Sequence, residues 1–149
     1  MDRLLTEQLK RYYQLWRETN EIYEEWAKRY GLSYYELLIL LSLWEEAPDC
    51  TQKKICEQWL LPKQTVHSIL QNFCKKELVS FRILKADRRN KAVLLTTKGK
   101  AFADDVLEGL QEHERQVLQR LGPRRVEALI DNTALFIQYF REGGEDEHT

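Results

Sequence analysis

Proline and glycine are scarce in this chain, 3 and 6 of 149 residues. So few breakers exclude a loop-rich or low-complexity architecture and leave long elements joined by few turns. No apolar run approaches the twenty or so residues that a membrane-spanning helix needs. The opening MDRLLTEQLKRYYQLW mixes charged and aromatic residues and holds no apolar block. It does not read as a signal peptide, and a cytoplasmic location is the expectation. Three cysteines, Cys50, Cys56 and Cys74, supply neither an even disulfide framework nor a C-x-x-C pair, and read as reduced, packed thiols. The three histidines, His67, His113 and His148, form no Cys/His cluster at zinc spacing, and the His113–Glu114 pair reads as surface rather than as a metal site. A glycine-rich phosphate loop and a G-x-S-x-G elbow are also missing. No nucleophile, base and orienting group stand at a recognisable spacing. Neither an enzyme nor a metal or other cofactor is therefore expected.

What the chain has is an uneven distribution of charge. Its net charge is −1, yet residues 51–100 carry 12 Lys/Arg against 3 Asp/Glu, a local charge of +9, and the rest carries −10. A basic block between acidic flanks is the footprint of a polyanion-binding module inside a larger acidic scaffold. The balance of 43% hydrophobic and 32% charged residues is that of a globular chain, and 149 residues suffice for one domain with its own core.

Periodicity predicts the elements. Leu5, Leu9, Tyr12, Trp16, Thr19, Tyr23, Trp26 and Tyr30 step by four and three, which predicts a first helix of about 26 residues stopped at Gly31. Ser33 with Glu36 makes a capping box for a second helix, Tyr34 to about Trp44. That helix is apolar nearly all round (LLILLSLW) and should be the buried centre. Thr51 caps a short helix to about Gln58, and Leu60 and Leu61 form a tight turn. Pro62 opens the next helix at its first position, and that helix runs to about Lys76. The β-type runs VSFRIL (79–84) and AVLLT (92–96) flank the polar tip KADRRNK and predict a hairpin. Thr96 or Thr97 caps a long helix ended by Gly122-Pro123, a last helix runs from Arg124 to about Arg141, and the tail EGGEDEHT should fray. Two short helices, a tight turn and a hairpin make a winged helix-turn-helix, mainly α with a small β wing.

The second helix of the pair, KQTVHSILQNFCKK (63–76), turns Val66, Ile69, Leu70 and Phe73 inward. Its outward set is Lys63, Gln64, Thr65, His67, Ser68, Gln71, Asn72 and Lys75. Glu77 is the only acid between Pro62 and Leu84, although a solvated face would ordinarily carry several. Gln and Asn can pair bidentately with adenine edges, and Ser or Thr can reach bases or phosphates. The hairpin supplies Arg82, Lys85, Asp87, Arg88, Arg89 and Lys91. Arginines on such a ribbon suit the narrow minor groove, and Asp87 can aim one of them or make an Asx turn. Double-stranded DNA is the expected partner.

These residues resemble the MarR family of bacterial transcriptional regulators. The likeness lies in T-Q-K-x-I (51–55), L-x-K-Q-T-V (61–66), L-V-x-x-R (78–82), D-R-R-N-K (87–91) and L-T-T-K-G (95–99), and extends to the long flanking helices. The resemblance implies an obligate homodimer built from N- and C-terminal helices and a pseudo-palindromic operator. It also implies a repressor often released by a small ligand. Carried over by position, Gln64, Thr65, His67 and Ser68 would face the major groove and Arg88 and Arg89 the wing tip. Two positions depart from the family pattern. Ser68 stands where members often have Arg. Glu77 stands where they often have Gly, which implies a different turn out of the recognition helix. Some members sense peroxide through a cysteine in the first helix, whereas no cysteine precedes Cys50 here.

The expected organisation is a single domain, 1–149, with a DNA-binding lobe at 33–97 and dimerisation helices at 1–31 and 98–141. Leu5, Leu9, Tyr12, Phe136 and Tyr139 are the expected dimer contacts. A lone winged domain could not cover the apolar faces of such long helices. Aromatic residues crowd the first two helices. They read either as core and dimer packing or as a pocket for a small aromatic or amphipathic ligand at Trp16, Tyr34 and Tyr35. The alternative function is a winged-helix adaptor that binds protein and not DNA, against which the +9 segment argues.

Overall fold

The computed structural model describes residues 2–84 and 90–146. Six helices and a hairpin follow one another: α1 Arg3–Arg29, α2 Tyr34–Glu45, α3 Gln52–Trp59, α4 Lys63–Lys75, β1 Val79–Ile83, β2 Lys91–Leu95, α5 Thr97–Leu121 and α6 Pro123–Asp146. The chain separates into two compact units. The first runs through Glu108 and takes in α1 to the first half of α5; the second, from Gly109, holds the rest of α5 and α6. No helix among the described residues is long and apolar enough to cross a membrane.

The helices start where short polar side chains can satisfy their first N–H groups. Asp2 Oδ1 accepts from Leu4 N at 3.1 Å, and Thr51 Oγ1 from Lys54 N at 3.2 Å. Both bonds of the Ser33 capping box form, Glu36 N donating to Ser33 Oγ at 3.2 Å and Ser33 N to Glu36 Oε1 at 3.0 Å. Thr96 lies just before α5, its Oγ1 accepting from Gly99 N at 2.9 Å. Pro62, expected as the first helical residue of α4, is instead its N-cap in extended conformation (ψ 143°), and it offers no side-chain cap.

Helix ends show a shared geometry with different residues. After α1, Leu32 N donates to Ala27 O and Gly31 N to Lys28 O, with Gly31 at φ 73°. After α4 the same pair recurs, Leu78 N to Phe73 O and Glu77 N to Cys74 O, with Glu77 at φ 62°. This is the Schellman closure, whose left-handed residue is usually glycine. The turn at Glu77 was expected to depart from the glycine form. It keeps that form, because the Phe73–Leu78 contact beneath it is buried and holds the closure in place. Leu60, which ends α3, is also left-handed at φ 52°.

In the first unit, α2 is the central helix, with Leu37, Ile39, Leu40 and Leu43 buried. Ile55 of α3, Val66, Leu70 and Phe73 of α4 and Val93 of β2 are also fully buried core residues, whereas Ile69 is only half-buried. The wing is a two-stranded antiparallel sheet in which Phe81 pairs with Val93 and Arg82 with Ala92. β2 lies one residue earlier than the AVLLT run, whereas β1 starts with the VSFRIL run and stops one residue short of its end. Thr51 bridges Ala92, and Val93 N donates to Cys50 O at 2.7 Å, so β2 is held on both sides.

Three indoles tie the helices of this unit. Trp26 Nε1 donates to Val106 O at 3.0 Å, Trp44 Nε1 to Asp104 Oδ1 at 2.8 Å and Trp59 Nε1 to Ser42 Oγ at 2.6 Å. The buried Ser42 hydroxyl in turn donates to Gln58 Oε1 at 2.7 Å, which links α2 to α3. The Trp44 hydrogen bond, reinforced by Lys100, lowers the Asp104 carboxyl below its ordinary range. In the second unit, Gly122 (φ 85°) closes α5, and Pro123 is the first residue of α6. α6 runs on to Asp146, past the expected end near Arg141. Glycine at 143 and 144 weakens a helix by about 1 kcal/mol each but does not forbid one.

Candidate nucleic-acid interface

Burial of Val66, Leu70 and Phe73 decides which side of α4 meets solvent. The exposed residues are Lys63, Gln64, His67, Ser68, Gln71, Asn72 and Lys75. Thr65 belongs to the edge of that face. It is half-buried, one turn before the half-buried Ile69, and so is less outward than its neighbours. Because Pro62 gives no side-chain cap, the N–H groups of Lys63, Gln64 and Thr65 point out of the helix start, and the positive end of the helix dipole is uncovered. That end accepts a phosphate oxygen readily.

α3, α4 and the wing enclose a cleft of about 500 Å³. Gln52 and Lys53 come to it from α3, and Lys63, His67 and Gln71 from α4. The wing adds Phe81, Asn90 and Lys91. Gln52 Nε2 lies 3.4 Å from Lys63 O and fastens the start of α3 to the start of α4. Three ammonium groups and several amides thus converge from segments that are far apart in sequence. None of the described residues lining the cleft is an acid.

The pleat sorts the hairpin residues. Phe81 and Val93 form a pair on the cleft side, and Lys91 shares their face. Arg82 pairs with Ala92 on the other face, so the structure separates Arg82 from Lys91 although both are exposed. Lys85, Asp87, Arg88 and Arg89 lie outside the described residues. Gln52, Lys53, Phe81 and Asn90 were not singled out from the sequence. The TQKK run at the start of α3 was the available signal for the first two, and the period-2 alternation of β1 for Phe81.

The base of α4 is braced by the start of α5. Thr96 Oγ1 donates to Glu77 O at 2.6 Å, Thr96 N to Leu78 O at 3.0 Å and Lys98 Nζ to Lys76 O at 3.0 Å. Gly99 is buried against this joint, where an added Cβ would lie 1.9 Å from Leu78 O. The L-T-T-K-G stretch therefore has a mechanical reason: it holds the recognition helix and the wing together.

The remaining candidates fall elsewhere. Leu5 and Tyr12 are exposed and Leu9 half-buried on α1; Phe136 and Tyr139 are exposed on α6, with the Phe136 and Phe140 rings 6.1 Å apart. Tyr34 stands between Tyr23 and Tyr35, at 6.3 Å from each by ring centroid, and burial raises its phenol above the ordinary range. Trp16 belongs to the exposed stretch of α1, at 60% accessibility. Cys50 is fully buried, which pushes its thiol up to about 11. Among the described residues no cluster of three or more His, Cys, Asp or Glu could hold a metal ion.

Comparison with known proteins follows the same lines. Residues 30–90 match the MarR family model. The HTH-type transcriptional regulator MgrA of Staphylococcus aureus is 27% identical over 95 residues, which are 63% of this chain and 64% of that protein's length. NMB1585, a MarR family regulator from Neisseria meningitidis, has a solved structure that superposes with a TM-score of 0.80 at 26% identity. The match covers 94% of this chain and 98% of that one. The S. aureus MepR–DNA complex shares the fold with a TM-score of 0.69 at 18% identity, over 87% of this chain and 94% of that one.

Proposed function

We propose, from the premise that the chain belongs to the MarR family, that it is a sequence-specific regulator of transcription that binds double-stranded DNA. The observation that carries the reading is the acid-free face of α4, with its uncapped start, beside a cleft lined by three lysines. In this reading Gln64, Ser68, Gln71 and Asn72 read the major groove, Thr65 meets its edge, and His67 faces that groove within reach of bases or phosphates. Lys63, Lys53 and Lys91 hold the phosphate backbone. Arg88 and Arg89, which the sequence places between the two strands, are the candidates for minor-groove contact. DNA bound by the MepR neighbour supports the partner class.

The acting species is a cytoplasmic homodimer on a pseudo-palindromic operator. Leu4, Leu5, Tyr13 and Trp16 on α1 are exposed, as are Ile130, Ile137, Tyr139 and Phe140 on α6. Apolar surface on this scale is uncommon on a soluble monomer and supports pairing through these helices. Repression, with release by a small aromatic ligand near Tyr34, is the accompanying proposal. It is supported by the Tyr23–Tyr34–Tyr35 cluster where α1 meets the start of α2.

Selection of bound sequences from a random duplex library tests the reading. A two-fold related motif, with half-sites about one helical turn apart, is the expected product. Sedimentation at micromolar concentration should give about twice 17.9 kDa. Failure to enrich any sequence, together with binding that does not weaken as salt rises, would favour the protein-interaction adaptor.

A further inference from the structure

We propose that His67 makes DNA affinity depend on proton concentration: the imidazole meets the phosphate backbone as the imidazolium, and the chain takes up a proton when it binds duplex DNA. The inference deepens the DNA-binding reading above and rests on it. His67 is exposed on α4 and lines the cleft between α3, α4 and the wing. The charged or titratable groups that line the cleft with it are Lys53 and Cys56 of α3, Lys63 of α4 and Lys91 of β2. Lys63 stands one helical turn before His67, on the same face.

The argument runs through what each group can do. The three lysines supply the positive charge that draws the phosphate backbone into the cleft. Histidine is the side chain whose ordinary titration falls in the physiological range. A phosphate within about 4–6 Å of an imidazole favours its charged form. Among the described residues no carboxylate lines the cleft, so a bound phosphate strand is the strong anionic partner that the imidazolium meets there. The complex therefore holds the proton more tightly than the free protein. The added affinity is greatest at the acidic end of the range and falls as pH rises. His113 belongs to the second unit and is not among the described residues that line the cleft.

The test uses a fluorescent mixed-sequence duplex of about 30 base pairs, because phosphate contacts need no operator. Affinity is measured by anisotropy between about pH 6 and about pH 8 at constant ionic strength. Wild-type binding should weaken about three- to tenfold over that range, the equivalent of half to one pH unit of linkage. His67→Gln should bind with a flat profile over this range, and His113→Gln should keep the wild-type slope. The salt slope of the wild type should be steeper at the acidic end by up to about 0.9, one phosphate contact, and this excess should vanish in His67→Gln. A flat wild-type profile, or an unchanged slope in His67→Gln, overturns the proposal while DNA binding stands. Absence of duplex binding by the wild type at every pH overturns both.

Discussion

Glu77→Gly should stabilise this protein, against the usual direction of a substitution to glycine. Glu77 occupies the left-handed position of the closure that ends α4, at φ 62°. An L-residue there costs about 1–2 kcal/mol from the approach of Cβ to the backbone carbonyl. Glycine removes that cost but adds about 0.4–1 kcal/mol of freedom to the unfolded chain. The difference is a gain of about 0.5–1 kcal/mol. Little opposes it, because the Glu77 side chain is exposed and its backbone carbonyl, which accepts from Thr96 Oγ1, is retained. Urea unfolding at fixed protein concentration should show a higher midpoint with an unchanged slope. Thermal midpoints should rise by about 1–4 °C, since 1 kcal/mol is worth about 2–4 °C at this size. Glu77→Ala separates strain from charge: it removes the carboxylate but keeps Cβ and should not stabilise. Equal gains from Ala and Gly would show that the carboxylate, and not the backbone, is unfavourable. A loss of stability with Gly would refute the reasoning about the closure.

The other substitutions probe the brace and the interface. Gly99→Ala would gain about 1 kcal/mol at an ordinary helical site, but here Cβ meets Leu78 O at 1.9 Å. Relief must break the Thr96–Leu78 bond or the α5 cap, so a loss of about 3 kcal/mol or more is expected in urea unfolding. Gln64→Ala should cost about 1–3 kcal/mol on the selected operator and far less on random duplex, measured at one salt concentration; a uniform loss would assign Gln64 to positioning and not to readout. Arg88→Ala with Arg89→Ala should weaken operator and random duplex alike and flatten the salt slope by about one to two units. Unchanged affinity and slope would mean that the wing tip does not touch DNA.

The order of elements was legible in the sequence because each boundary carries local chemistry. The Ser33–Glu36 box, the Thr51 cap, Gly31 and the Gly122-Pro123 pair act within a turn or two of where they stand. Periods of 3.6 and 2 separated helices from the hairpin, and the inward side of α4 followed from Val66, Leu70 and Phe73. The shortfall of acids from Pro62 to Leu84 pointed to the recognition face without any coordinates.

Errors arose where a residue's state is decided by partners distant in sequence. Pro62 is compatible with both the first helical position and the cap, since its φ of −60° suits either and only ψ distinguishes them. Glu77 looked like a departure in turn geometry, yet burial of Phe73 and Leu78 holds the glycine-type closure whatever residue fills it. Cys50 and Thr51 pair with β2 across a long stretch of sequence, a contact that no local run of residues announces.

The sequence by itself determined which segments are helices, which side of each is apolar and where positive charge collects, because those properties depend on neighbours within a few residues. Only the tertiary structure decided that Lys53, Lys63, His67 and Lys91 share one cleft, that Arg82 and Lys91 lie on opposite faces of the wing, and that Gly99 has no room for a methyl group. These are contacts between segments up to dozens of residues apart. They follow from the packing of α2, α3, α4 and the hairpin around one core, which no local period or motif encodes.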